Sequence, residues 1–400
     1  MSSSQSIELV ERYAARNYRP LPVVIERGDG VWVWDESGKK YMDLLSCYSA
    51  LNFGHRHPAI LAAVRDQCER VTLVPRSYHN TELGPLCREL AELCGLDRVL
   101  PMNSGAEAVE TAIKTARAWG YANRGVPQDR AQIIVADQNF HGRTITVVSF
   151  SSEPYYREGF GPFTPGFVSV PFGDAAAIER AIGPDTVAVL LEPIQGEGGV
   201  VVPPDGYLRA CREICDRAGI VLIWDEVQTG FGRTGKDFCW QHEGARPDLM
   251  TLGKALGGGV YPASAVVGTE AVLGVLRPGQ HGSTFGGNPL AMAIARASLR
   301  VLVEEKLAER AAEMGRVMLE GLRSIRHGAI REVRGRGLLL GIEVERDVGG
   351  ARRVCERLLE VGLVTYETHE RVVRLAPPLI VSRADVDWAL ERIEQGFRGL

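Results

Sequence analysis

Residues 21–45 carry two short runs of alternating apolar and polar positions, PVVIERGDG and VWVWDESGKKYMDL. Gly-Asp-Gly joins them, and that combination predicts a small hairpin behind an N-terminal arm. Residues 58–72 and 82–94 repeat their apolar positions at helical spacing. Short apolar runs at Ile133–Ala136, 187–192 (VAVLLE), Ile220–Trp224 and Leu249–Leu252 have the length and composition of buried strands. A strong helical pattern follows Asn103-Ser104-Gly105, with Glu107 in its first turn, and another spans 207–218. This alternation from 99 to 255 predicts an α/β fold with a doubly wound, mostly parallel sheet.

A long helical pattern runs from 290 to about 326. A β-rich section follows: VRGRGLLLGIEV, a helix around 352–361, VVRLAPPL and a last helix. No internal repeat, low-complexity tract or long linker interrupts the chain. The expected division is a large domain over 50–290. A smaller α+β domain then comes from both chain ends, 1–49 and 291–400.

Composition adds mainly exclusions. Four hundred residues with 45% hydrophobic content suit a globular chain with a full core. A net charge of −4 gives no reason to expect nucleic acid or an anionic membrane as partner. No apolar run approaches the ~20 residues of a membrane span. The N-terminal twenty residues lack an apolar signal core, and Glu8 and Glu11 argue against a mitochondrial presequence. The expected location is cytoplasmic. The eight cysteines are scattered without a C-x-x-C pair, so reduced core thiols are expected. Cys211 and Cys215 lack partners for a zinc site, and His55 and His57 read as loop packing or local hydrogen bonding. No metal is expected.

The chemistry concentrates in residues 219–259. The run Ile220–Trp224 ends in Asp225 and Glu226; the run Leu249–Leu252 ends in Gly253 and Lys254. Ligands of open α/β sheets bind beyond the carboxyl ends of the strands, where both groups would lie. A desolvated lysine becomes a nucleophile toward carbonyls. Pyridoxal phosphate (PLP) bonds to a lysine and needs an acid beside its ring nitrogen. Spacing alone does not choose between that reading and a structural acid with a solvated lysine. Gly230, Gly232 and Gly235 fit G-x-G-x-x-G, but no helix signal follows, so a loop is expected. Gly230–Lys236 also fits G-x-x-x-x-G-K, but Asp237 stands where Ser or Thr should bind magnesium.

Taken together, the motifs resemble the PLP-dependent class III aminotransferases. The likeness runs through NYRPLPVV near 17, DLLSCYSALNFGHRHP near 43, LPMNSGAEAVETAIK near 100 and NFHGRT at 139. It continues through EPIQGEGGVVVPPDGY at 192, DEVQTGFGRTGK at 225, LGKALGGGVYP at 252, HGSTFGGNPL at 281 and VRLAPPL at 373. The resemblance implies fold type I of the PLP-dependent transferases. It implies Lys254 as the lysine that carries PLP and shuttles the proton, and Asp225 as partner of the ring nitrogen. Gln228 would bond the ring hydroxyl, with Phe140 and Val227 on the two ring faces. Ser104, Gly105 and Ala106 would serve the phosphate, Glu192 would join the cofactor site, and Ser283 and Thr284 would reach the phosphate from the partner subunit of a homodimer.

The likeness also implies the substrates. It points to L-ornithine as δ-amino donor and 2-oxoglutarate as acceptor. Arg143 and Tyr18 would clamp the α-carboxylate and α-amino group of ornithine, and Tyr48 and Phe140 would wall the pocket. Arg374 would grip the α-carboxylate of 2-oxoglutarate, with Glu197 as the gate that pairs with it. Three departures stand out. Phe53 replaces a common Gln, VPRSYHN at 74 differs from the usual LTSRAF-type run, and Gly198 replaces a common Ala. The first two are expected to line the pocket or a subunit interface. Rival activities are those on N-acetylornithine, 4-aminobutyrate or a modified ornithine. A nicotinamide enzyme fails on the context of its glycines. A degenerate, non-enzymatic fold fails on the intact Lys254, Asp225 and Arg374.

Overall fold

The computed structural model describes residues 3–400. Strands β1 (Ile25–Asp29), β2 (Trp32–Asp35) and β3 (Lys40–Asp43) form an antiparallel meander. The expected hairpin gains a strand because its second run breaks in the middle. Asp35 Oδ1 accepts from the N–H groups of Ser37 and Lys39, and Gly38 takes a φ of 84°. That is a turn built by an aspartate and a left-handed glycine.

The large sheet contains β4 (Arg98–Met102), β5 (Gln132–Ala136), β6 (Phe167–Val170), β7 (Thr186–Leu191), β8 (Val221–Asp225), β9 (Leu249–Leu252) and β10 (Ser264–Gly268). Their order is β4-β10-β9-β8-β7-β5-β6. Only β10 runs antiparallel to its neighbours. Successive residues face opposite layers. Ile133, Val135, Val221 and Ile223 pack with Ala108, Ala112 and Ile113 of the Gly105–Asn123 helix. Ile134, Ala136, Leu222 and Trp224 pack with Leu208, Cys211 and Ile214 of the Tyr207–Ala218 helix. Burial on both faces explains why these strands read as continuous apolar runs. The expected doubly wound, mostly parallel sheet is present.

Toward the C-terminus come β11 (Ile330–Arg336), β12 (Leu339–Val344), β13 (Leu363–Val364), β14 (Tyr366–Thr368) and β15 (Val372–Leu375). β11-β12-β15-β14 make an antiparallel sheet, while β13 pairs parallel with β3. Leu363 lies opposite Met42, so the two ends of the chain share one small sheet. No helix among the described residues is long and apolar enough to cross a membrane.

The helical pattern of 290–326 is two helices, Pro289–Glu304 and Leu307–Ser324. Lys306 breaks it with a φ of 52°. Glu304, Glu305 and Lys306 are ordinary helix formers, so no local breaker marks the site. The cause is tertiary. The first helix packs on the Pro58–Cys68 and Leu83–Cys94 helices, the second on β11 and the Arg383–Arg398 helix.

The glycine-rich loop after β8 is a loop, as its lack of a helix signal implied. It carries Arg233, which is completely buried and forms no salt bridge among the described residues. Its Nη1 donates to the carbonyls of Leu338 (2.9 Å) and Pro377 (2.6 Å), and its Nη2 to Asn52 Oδ1 (2.5 Å). Burial pulls its pKa down to about 9, against the charge of Asp43. One side chain thereby joins four distant segments. Gly337 fits the same junction: a Cβ there would lie 2.4 Å from the Thr234 carbonyl carbon. Arg233→Met is expected to lower stability by about 3 kcal/mol, because buried acceptors lose their donors. Denaturant unfolding measures this, and an unchanged midpoint would refute the joining role.

Candidate active site

The carboxyl ends of β5, β7, β8 and β9 open onto a cavity of about 200 Å³. Its walls include Gly105, Ala106, Phe140, His141, Glu192, Asp225, Val227, Gln228 and Lys254. Lys254 follows β9 directly and takes a left-handed φ of 43°. Its side chain is half-buried, lines the cavity and makes no hydrogen bond among the described residues. Burial pulls its pKa below the ordinary lysine value. Glu197, Asp225 and Glu192 oppose that pull, and Arg374 adds to it.

Asp225 ends β8, almost wholly buried. Its Oδ1 accepts from Thr251 Oγ1 (2.9 Å) and the Val227 N–H (3.1 Å). Its Oδ2 lies 2.6 Å from His141 Nδ1. Burial works against a charged His141, but the bond to Asp225 and the Asp225 and Glu192 charges outweigh it, so the pKa rises. His141 Nε2 is buried without a partner. Sequence reasoning passed over His141 and Thr251. The only signal for His141 was its place beside Phe140 in NFHGRT.

Glu192, just after β7, accepts from the N–H groups of Phe140 (3.0 Å) and Gly196 (3.3 Å). Burial pushes its carboxyl up to about 7, Asp225 adds to that, and His141 opposes it. Glu197 forms an ion pair with Arg374 of β15. Burial would raise the Glu197 carboxyl, but the charges of Arg374 and Lys254 hold it below its usual range. The Arg374 guanidinium carbon sits 4.7 Å from the centre of the Tyr48 ring. Thr365 Oγ1 bonds the Arg374 carbonyl, and Thr368 Oγ1 bonds the Glu197 carbonyl (2.5 Å), so β14 and the residue before it hold both members. Gln228 Nε2 donates to the Tyr48 carbonyl (3.4 Å).

Ser104 caps the Gly105–Asn123 helix. Its Oγ accepts from the Glu107 N–H (3.3 Å), while Glu107 Oε2 accepts from the N–H groups of Ser104 (2.8 Å) and Asn103 (2.9 Å). The Gly105 and Ala106 N–H groups stay outside this capping box, at the cavity wall, where a helix start favours an anion. Arg143 lies above Tyr156, 3.8 Å to the ring centre, and 5.4 Å from that of Phe140. It has no acidic partner among the described residues.

Other expected site residues lie outside the cavity. Tyr18 is 77% exposed. The next carbonyl, of Arg19, accepts from Tyr366 Oη (2.7 Å) and Arg352 Nη1 (2.9 Å). Ser283 Oγ accepts from Asn103 Nδ2 (2.8 Å) and the Gly286 N–H (3.0 Å), and Thr284 is exposed. Phe53 corrects an expectation. It is completely buried in the core with Met42 and Leu44, so it lines neither pocket nor surface. Residues 74–80 lie away from the cavity, beside the 281–290 segment, where Asn80 Nδ2 donates to the Gly287 carbonyl (3.1 Å).

His55 bonds Asp43 (2.9 Å), a local partner of the kind its loop implied, whereas His57 bonds the distant Glu305 (3.0 Å). No cluster able to hold a metal occurs among the described residues. PLP fits the donor set. A half-buried, unbonded amine would meet its aldehyde, a buried carboxylate its ring nitrogen, and free helix-start N–H groups its phosphate.

The Glu192 carboxyl generates a pH test. Its folded pKa of about 7 exceeds its ordinary 4.5. The folded state therefore binds that proton more tightly, and stability falls as pH rises through this window. Glu192→Gln removes the loss. The cofactor-free variant should gain about 2 kcal/mol over the parent at pH 8 and far less near pH 5. Thermal unfolding across that range checks it; a gain independent of pH would contradict the charge account.

A family model for aminotransferase class III matches residues 13–397. The ornithine aminotransferase of Geobacillus sp. (strain WCH70) is 51% identical over 398 residues, covering 100% of this chain and 99% of that one. The crystal structure of ornithine aminotransferase from Toxoplasma gondii ME49 superposes with a TM-score of 0.98 at 44% identity, covering 100% and 96%. Acetylornithine aminotransferase from Elizabethkingia anophelis gives 0.92 at 43%, covering both chains fully. By sequence over nearly its whole length, and by fold, the chain belongs to the class III aminotransferases.

Proposed function

We propose that this aminotransferase moves the δ-amino group of L-ornithine to 2-oxoglutarate. The products are L-glutamate and glutamate 5-semialdehyde, which cyclises to pyrroline-5-carboxylate. One observation carries the reading beyond the names of relatives 51–55% identical. The site holds two arginines in opposite electrostatic states. Arg143 stands without an acid, ready for a carboxylate, while Arg374 is masked by Glu197.

PLP, when bound, supplies an electron sink for the carbon that bears the transferred amine. Lys254 would carry it, and Lys254 Nζ would move the proton at the δ-carbon. Asp225, held by His141 and Thr251, would keep the ring nitrogen protonated. Phe140 and Val227 would take the ring faces, Gln228 the ring hydroxyl, and Glu192 would fix the Phe140 backbone. Ser104, Gly105 and Ala106 would hold the phosphate. Arg143 would grip the ornithine carboxylate with two N–H groups, and Tyr18 would meet its α-ammonium group. The distal amine then reaches the reacting centre because the head group is anchored far from it. While Glu197 covers Arg374, the ornithine carboxylate has one site to choose. When Glu197 swings away, Arg374 accepts the α-carboxylate of 2-oxoglutarate against the Tyr48 wall. We further assign residues 50–290 to a PLP-binding domain and 1–49 with 291–400 to a smaller one.

The deciding experiment compares kcat/KM for L-ornithine, N-acetylornithine and 4-aminobutyrate. L-Ornithine should lead, and Tyr18→Phe should narrow that lead by roughly ten-fold, the effect of one lost polar partner. In the same assay Glu197→Ala should release products of α-amino transfer. N-acetylornithine or 4-aminobutyrate as best donor would overturn the donor assignment and leave the family intact. Unchanged regiochemistry would remove Glu197 from the gate.

We also propose a homodimer in which Ser283 and Thr284 reach the partner's phosphate site. The exposure of Thr284 supports this. Lys254→Ala mixed with Thr284→Arg should recover activity in heterodimers. No recovery, with subunit exchange verified, would mean that each site is built within one chain.

A further inference from the structure

Tyr156 lies in the short Pro154–Arg157 helix, beside Phe140 of the cavity wall. Its neighbour Tyr155 is 82% exposed, but Tyr156 turns inward and is partly covered. Its ring meets Phe140 edge-on, with centroids 6.1 Å apart at 76°. The Arg143 guanidinium carbon sits 3.8 Å above the Tyr156 ring centre, closer than its 5.4 Å to Phe140. Burial raises the Tyr156 hydroxyl pKa. The charges of Arg143, Glu197, Glu153 and Arg374 also act on it.

The local chain holds this ring in place. Ser151 Oγ accepts from the Glu153 N–H (3.2 Å), and the Tyr156 N–H donates to the Glu153 carbonyl (3.1 Å). Arg157 packs 4.5 Å over the Phe163 ring. Arg143, in contrast, is an exposed side chain with no ion pair among the described residues. An arginine on a long, flexible stem loses much rotamer freedom when it grips a carboxylate. Stacking removes part of that loss in advance. It uses the face of the guanidinium and leaves the N–H groups at its edge free for bidentate bonding.

We infer that Tyr156 is a positioning residue that presets Arg143 for amines bearing a distal carboxylate. It thereby sets the preference for α-amino acid donors over bare diamines. The inference rests on the proposed role of Arg143 as the carboxylate clamp. Tyr156 itself need not touch the substrate, and the stacking requires its ring, not its hydroxyl.

The test uses the PLP-loaded enzyme with L-ornithine and with 1,4-diaminobutane, which is ornithine without its carboxylate. Tyr156→Leu should raise KM for L-ornithine about five-fold, the scale of one cation–π contact. Its kcat should change less than about two-fold, because the lost term is binding. The ornithine-to-diamine ratio of kcat/KM should fall by the same factor. Tyr156→Phe should restore the parent values, and Tyr156→Met serves as a second ring-free variant if the leucine variant misfolds. A ratio unchanged in the ring-free variant, or a Phe variant as poor as Leu, would each overturn the inference. Arg143→Gln separates the two claims. If it collapses the ratio while Tyr156→Leu does not, the clamp stands and the positioning role falls. If it leaves the ratio intact, the clamp reading itself is wrong.

Discussion

A half-buried lysine amine with no hydrogen bond, set among carboxylates, is the constraint on which the rest of the site depends. Burial disfavours the charged form of Lys254, and the nearby carboxylates favour it. Three of them act on it: Glu197, Asp225 and Glu192. Asp225 and Glu192 are buried and Glu197 is partly so, and each is met by cations or donors. Asp225 has His141, Thr251 and the Val227 N–H. Glu197 has Arg374. Glu192 has only backbone N–H groups and a nearby histidine, and its carboxyl is the one pushed up to about 7. A cavity balanced this closely is poised to lose or accept a proton at neutral pH, as acid–base chemistry requires.

The same balance couples the two ends of the site. Glu197 acts on Lys254 and on Arg374 together. Moving its carboxylate changes the charge felt by the lysine as well as uncovering the arginine. The backbone on both sides is fixed, because Thr368 holds the Glu197 carbonyl and Thr365 the Arg374 carbonyl. Only the side-chain contact is free to break. A gate built this way can open without disturbing the strand that carries Arg374.

The fold serves this arrangement through strand ends. The parallel strands deliver Glu192, Asp225 and Lys254 to one edge, and the capped helix after β4 adds its N–H groups there. Arg374 comes from another sheet altogether, and Arg233 ties the loop behind Asp225 to that second sheet through Leu338 and Pro377.

The apolar runs and helical spacings sufficed for the parallel sheet, because strands buried on both faces must be continuously apolar. The apolar runs also placed Asp225 and Lys254 at the ends of neighbouring strands, while the chemistry expected of them came from the resemblance and not from spacing. What depended on distant contacts was not legible. The break at Lys306 has no local cause; it exists because two successive helices cover different surfaces. The third strand of the meander needed Asp35 to bind backbone N–H groups in a turn. Phe53 read as a pocket residue by comparison, yet the chain folds it into the core. His141 meets Asp225 across 84 residues, and Glu197 meets Arg374 across 177. Periodicity reports only what a residue does relative to its near neighbours. Which charge offsets which in the cavity is decided by packing of segments far apart in the chain.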